Sequence, residues 1–221
     1  MDVTEAIDAR RSVRGFLDTP VDPALLRDIA IKASRAATGG NLQPWYIAIV
    51  QGEAMTRLKT IMADNLATGA TETPAYDVYP KDLAAPYRDR RYAVGEAMYA
   101  HLGIPRDDKT ARQKWFARNF ESFGAPAAYF CTVDRRMGPP QWSDLGMYLQ
   151  NLMLLAVDAG LATCPQECWA MYPETVGRVL ALPEDRMLFC GMAIGYEDKS
   201  APANALRTER ANEAEWLTTI R

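Results

Sequence analysis

Apolar residues recur along this chain at two spacings, and the changes between them mark out its elements. Leu25, Leu26, Ile29 and Ala33 fall at helical intervals. Asp22 followed by Pro23 is an N-cap and first-turn signal, so a helix is predicted from there to the pair Gly39–Gly40, which stops it. "WYIAIV" (45–50) is then short, continuous and rich in aromatic and β-branched residues, the pattern of a buried strand. Similar runs follow at "PAAYFCTV" (126–133), "GLATC" (160–164) and "MLFCGMAIGY" (187–196). Helical spacing returns over 4–11, 53–68, 83–103, 106–123 and 173–182. It returns again after Ser143, placed to cap a long helix whose stripe is Leu145, Tyr148, Leu149, Leu152, Leu155 and Ala156. Residues 69–82, with two prolines, form a loop. Four strands scattered unevenly among many helices predict an α+β fold rather than alternating βαβ units.

With 221 residues, 48% hydrophobic and 24% charged, the chain suits one packed domain. A net charge of −3 argues against a general nucleic-acid or membrane-surface binder. No apolar run is long enough to span a bilayer, and the N-terminus has no apolar signal core. Cys131, Cys164, Cys168 and Cys190 form neither a zinc ribbon nor a C-x-x-C motif, which predicts reduced thiols in a cytoplasmic protein and no metal site. The single histidine, His101, removes zinc–histidine clusters, and a Ser-His-Asp triad would have to be built on it alone. Glycine-rich dinucleotide and P-loop fingerprints are missing, so any hard chemistry falls to a bound cofactor.

Four stretches carry candidate chemistry. In "ARRSVRGF", Arg10, Ser12 and Arg14 alternate and share one face of an extended segment. Two guanidiniums and a hydroxyl suit a phosphate ester, although a solvated basic surface is the commoner use of such residues. "NALRTER" adds Arg207 and Arg210, either for the same anion or as exposed tail residues. In "ATGGNLQPW", Asn41 and Gln43 each offer a donor and an acceptor to a heterocycle edge. Pro44 pushes Gln43 toward extended backbone, and Trp45 is either a flat wall or a core residue. In "GLATCPQECW", a small-residue strand runs into Pro165, Gln166, Glu167 and Cys168, whose backbone N–H groups can point at a ring, or the turn is an ordinary connection.

Taken in order, "RRSVRGF", "SRAATGGNLQPW", "DLGMYLQNLMLLAVDAGLATCPQECW", "LFCGMAIGY" and "NALRTER" resemble the FMN-dependent nitroreductase family, nitrobenzoate-reductase-like branch, over nearly the whole chain. The resemblance implies a single α+β domain over 1–221 with a central, mostly antiparallel sheet flanked by helices, in an intertwined homodimer. FMN would lie at the subunit junction. Arg10, Arg11 and Ser12 would hold its phosphate and ribityl chain, with Arg210 and Arg207 completing the clamp. Arg14 would approach the pyrimidine edge of the ring, and Asn41 and Gln43 would reach the partner's flavin. Pro165, Gln166, Glu167 and Cys168 would line the ring mostly through backbone. No side chain is implied as catalytic: N5 of the flavin carries the hydride, assisted by Arg14 and the Glu167 backbone. Residues 69–125 would form a helical excursion over the substrate side, with Tyr87, Trp115, Phe120 and Phe123 as candidate substrate contacts. The implied reaction is ping-pong, with NADPH or NADH reducing the flavin and a nitroaromatic or quinone reoxidising it. Reductive dehalogenation and non-catalytic flavin binding are the alternatives. The family usually carries glycine where this chain has Cys168.

Overall fold

The computed structural model describes all 221 residues. Four strands, β1 (Tyr46–Gln51), β2 (Ala127–Asp134), β3 (Ala162–Gln166) and β4 (Arg186–Gly195), form one sheet in the order β1-β2-β4-β3. Every pairing is antiparallel, with Tyr46 opposite Thr132, Ala127 opposite Ile194 and Thr163 opposite Ile194. Seven α-helices surround it: α1 (Val3–Ala9), α2 (Pro23–Ala33), α3 (Gly52–Thr68), α4 (Tyr87–His101), α5 (Lys109–Ala117), α6 (Pro139–Asp158) and α7 (Pro173–Leu180). The α+β class is as the strand and helix pattern predicts, and the antiparallel sheet is as the family resemblance implies.

Each sheet face has its own core. On one, Leu26, Ile29 and Ala33 of α2 and the α6 stripe pack against Tyr129, Cys131, Cys190 and Met192. On the other, Met55, Leu58 and Met62 of α3 and Val176 of α7 pack with Phe130, Phe120 and Trp169. β2 is buried along its whole length because both faces are covered, which explains its unbroken apolar run. Gly191 in β4 makes room for this second core. A Cβ there would lie 2.4 Å from Cδ1 of the fully buried Trp169. Gly191→Ala is therefore expected to destabilise the fold by about 1–3 kcal/mol, the usual cost of overpacking. Urea unfolding checks this; an unchanged midpoint would contradict the close packing.

Several boundaries differ from expectation. The helix after Asp22 ends at Ala33, well before Gly39–Gly40, because the Ser34 hydroxyl and N–H both turn back to Ile31 O. Ser143 does not cap the long helix. That helix starts at Pro139 behind Gly138, whose N–H donates to Gln141 Oε1, and Ser143 sits within it. The predicted helix 83–103 begins only at Tyr87. The one predicted over 106–123 is α only through Ala117. A 3₁₀ segment follows, in which Ser122 and Phe123 take left-handed φ values of 51° and 52°. β3 starts at Ala162 and runs through Pro165 to Gln166.

Candidate active site

The segment after α1 runs beside the edge strand β3. Ser12 bridges Thr163 in parallel, and Val13 N–H donates to Thr163 O at 2.9 Å. The C-terminal tail locks the segment from the other side. Buried Asn204 accepts from Arg14 N–H at 2.7 Å and donates to Gly15 O at 2.9 Å and Asp198 O at 2.8 Å. Gly15 allows this approach, since a Cβ there would lie 2.3 Å from Ala201 Cβ. One side chain thus joins the two ends of the polypeptide next to β3. Asn204 opens the "NALRTER" stretch, but its role is not legible there, because a buried polar residue in a tail has no periodic pattern to reveal it.

This junction gathers four guanidiniums that have no carboxylate partner. Arg10 Nη1 lies 4.0 Å from Met153 Sδ, and Arg14 Nη1 donates to Ser12 O. Arg207 donates to the Asn204 and Leu206 carbonyls, and Arg210 to Thr208 and Glu209. Burial, and then the nearby charge of Arg210, lower the Arg10 pKa, so positive charge from both chain ends converges without an internal counter-ion. Arg11 is out of phase with this face. Its guanidinium turns to Glu197 in a half-buried ion pair, which removes it from the cluster formed by its neighbours.

At the end of β3, Pro165 is half-buried and Glu167 and Cys168 begin a short 3₁₀ segment. The Gln166 side chain faces inward: Nε2 donates to Asn119 O at 2.7 Å, and Oε1 accepts from Trp169 Nε1. Its side-chain amide is committed to the core, which leaves its backbone for the expected cofactor contact. Burial pushes the Cys168 thiol up to about 12, so the thiol stays protonated and uncharged near neutral pH.

The loop holding Asn41 and Gln43 is exposed and left-handed, with φ of 57° at Gly40, 55° at Asn41 and 50° at Gln43. Glycine and Asn tolerate that region, which accounts for Gly40 and Asn41. Gln43 is not extended despite Pro44. Its N–H donates to Thr38 Oγ1 and its Nε2 to Asn41 O, closing the loop on itself. Gly39 N–H donates to buried Asp144 of α6, and Trp45 stacks on Tyr148 at 5.0 Å, so the loop is anchored while Asn41 and Gln43 stay exposed.

The aromatic candidates separate by position. Phe120 and Phe123 are each 1% exposed and belong to the core rather than to a pocket wall. Phe120 meets Trp169 and Tyr172 edge-on at 5.3 and 5.0 Å, and Phe123 packs beside Val13 and Ala193. The left-handed turn at Ser122 and Phe123 accompanies this inward placement. Trp115 is half-buried against Phe123, and Tyr87, at the start of α4, is 65% exposed.

The nitroreductase family model matches residues 7–196. A nitrobenzene nitroreductase of Ectopseudomonas oleovorans is 35% identical, with 99% of this chain and 96% of that protein covered. A 4-nitrobenzoate reductase of Pseudomonas putida is 34% identical over 95% of this chain and 91% of its own length. The crystal structure of the FMN and NADPH-dependent nitroreductase NfnB from Sphigopyxis sp. strain HMH superposes at a TM-score of 0.96, with 48% identity and full coverage of both chains. NfnB from Mycobacterium smegmatis in complex with NADPH superposes at 0.93 with 29% identity, again over both whole chains. The fold agrees with these solved structures, and the chain belongs to the nitroreductase family.

Proposed function

We propose that this protein is an FMN-dependent NAD(P)H oxidoreductase that reduces nitroaromatic compounds, working as a homodimer in the cytoplasm. The observation that carries the proposal is the convergence of Arg10, Arg14, Arg207 and Arg210, none of them ion-paired to a carboxylate. Uncompensated guanidiniums of this kind match a phosphate-bearing ligand, so the residues present fit FMN. Relatives named as FMN and NADPH-dependent, or as reducing nitrobenzene and 4-nitrobenzoate, support the same assignment. Bound FMN supplies the capacity to take electrons from a reduced nicotinamide and pass them to a nitro group.

The chain's own residues supply position and charge. Arg10, Ser12 and Arg210, backed by Arg207, hold the phosphate. Arg14, its backbone fixed by Asn204, presents positive charge to the pyrimidine edge of the ring, where it favours added negative charge. The backbone from Pro165 to Cys168 lines the ring, and the protonated Cys168 thiol offers a neutral surface. Tyr87 and Trp115, on the excursion over 69–125, remain the aromatic candidates for the substrate side.

The second subunit enters through the exposed loop. Asn41 and Gln43 are anchored near Asp144, whereas Arg10 lies near Met153, nine residues further along α6. That is about 13 Å along a helix axis, so the two sets stand at different levels of one chain. A partner's loop brings amides to the arginines without rearranging either. Exposed Val3 and Ile7 on α1, Ile31 on α2 and Met147 on α6 support an apolar contact between copies. Four unpaired cysteines support a reducing compartment, and no helix is long and apolar enough to cross a membrane.

Anaerobic mixing of FMN-loaded protein with NADPH tests the proposal. Rapid bleaching followed by recovery of colour with nitrobenzene is expected. A flavin that stays oxidised would leave a binding protein and overturn the enzyme. Arg14→Ala is expected to slow bleaching by about 10- to 100-fold, the size of one charge-assisted interaction, with a smaller change in FMN affinity. Unchanged bleaching kinetics would remove Arg14 from the ring's pyrimidine edge.

A further inference from the structure

A groove of about 400 Å³ runs between α4 and the tail. Arg90, Val94 and Ala97 line one wall, and Arg207, Glu209 and Arg210 line the other, so three guanidiniums face one carboxylate. Two of the three are arginines already assigned to the anion clamp; Arg90 comes from the helical excursion. Arg207 and Arg210 spend their donors on main-chain carbonyls and the Thr208 hydroxyl, not on an acid. Arg90 is held differently. Its Nη2 donates at 2.7 Å to Oε2 of Glu215, whose other oxygen accepts from Asn212 N–H in the turn that follows the groove. Both members of this pair are about half exposed, at 46% and 51%. Little desolvation therefore opposes exchanging the carboxylate for another anion.

We propose that Arg90 is a third arginine of a phosphate-ester subsite shared with Arg207 and Arg210, and that Glu215 is the internal carboxylate competing for it. A phosphate dianion accepts more charge-assisted bonds than a carboxylate and suits a site with excess guanidinium. The inference rests on the proposed FMN and NAD(P)H chemistry, which provides two phosphate esters: the 5′-phosphate of FMN and the 2′-phosphate that distinguishes NADPH from NADH. It also gives α4 a binding task, consistent with a helix that buries none of its residues in the core.

The experiment uses the full chain with Arg90→Ala and, separately, Glu215→Gln. Affinity is measured for FMN and riboflavin by flavin fluorescence, and KM for NADPH and NADH in the loaded protein. Where the flavin phosphate is the guest, Arg90→Ala raises the FMN Kd by about 10- to 100-fold, the size of one charge-assisted bond, and leaves riboflavin unchanged. Where the guest is the dinucleotide, the same variant raises KM for NADPH and not for NADH. Glu215→Gln shifts the affected quantity in the opposite direction, because it releases Arg90 from its competitor; no shift removes Glu215 from that role. Equal effects on the phosphorylated and unphosphorylated ligands, or no effect on either pair, would overturn the subsite while wild-type FMN binding and turnover still stand. Failure of the wild-type chain to bind FMN would instead remove the underlying functional assignment.

Discussion

Replacing Arg10 and Arg210 together by alanine is expected to weaken FMN binding by about 10²- to 10⁴-fold, because each guanidinium forfeits a charge-assisted bond worth about 1.5–3 kcal/mol. Neither arginine has a carboxylate partner, so removing them leaves no buried charge unpaired and the fold is expected to survive. Riboflavin, which has no phosphate, should bind wild type and variant alike. Burial first, and the nearby Arg210 charge second, lower the Arg10 pKa, which makes this pair the natural target. The two charges repel until an anion lies between them, so each contributes more in the loaded protein than its own contacts suggest. Isothermal titration with FMN and riboflavin separates the cases. Equal losses for both ligands would mean that the arginines act on the fold and not on a phosphate.

Phe120→Ala is expected to destabilise the protein by about 3–5 kcal/mol, the cost of deleting a fully buried aromatic ring. For a chain of this size that lowers Tm by about 10 °C. Phe120 packs edge-on against Trp169 and Tyr172 and contacts Phe116, so its removal opens a cavity in the core that also seats α3 and α7. Tyr87→Ala provides the contrast. Its ring is 65% exposed, and its loss should leave Tm within about 2 °C while changing KM for a nitroaromatic substrate. A Phe120→Ala protein with wild-type Tm and a raised KM for nitrobenzene would return Phe120 to the pocket wall. Calorimetry paired with steady-state kinetics distinguishes these outcomes.

The contrast between these residues shows what the sequence can and cannot carry. Asp22–Pro23 marks a helix start because both capping chemistry and proline geometry are local, and the structure agrees. "PAAYFCTV" is unambiguous because a strand covered on both faces must be apolar throughout, whereas "WYIAIV", expected to be buried by the same rule, supplies the edge strand β1, in which only Val50 is buried and Tyr46 is exposed. Pro139 and Pro140 obscure the start of α6, because they resemble breakers but are tolerated in a first turn, and the Ser143 hydroxyl points to a later boundary than the true one. Arg10 and Arg14 are legible from their alternation, whereas Arg207 and Arg210 carry no such pattern. Arg11 shows the same rule from the opposite side, turning to Glu197 because it is one residue out of phase. Gln166 and Asn204 are long-range decisions: one amide donates to Asn119, 47 residues away, and the other joins the chain's two ends. Nothing within a few residues of either announces that choice. Phe120 and Phe123 failed for a similar reason, since an aromatic residue does not record which way its backbone will turn it.

The account depends on FMN held without a covalent bond at a junction between two copies of this chain. Sedimentation of the FMN-loaded protein, followed simultaneously by protein and flavin absorbance, tests that most directly. The expected result is a single dimer boundary carrying both signals, with one flavin per chain. Flavin colour travelling with a monomer, or a colourless protein that takes up no added FMN, would contradict it.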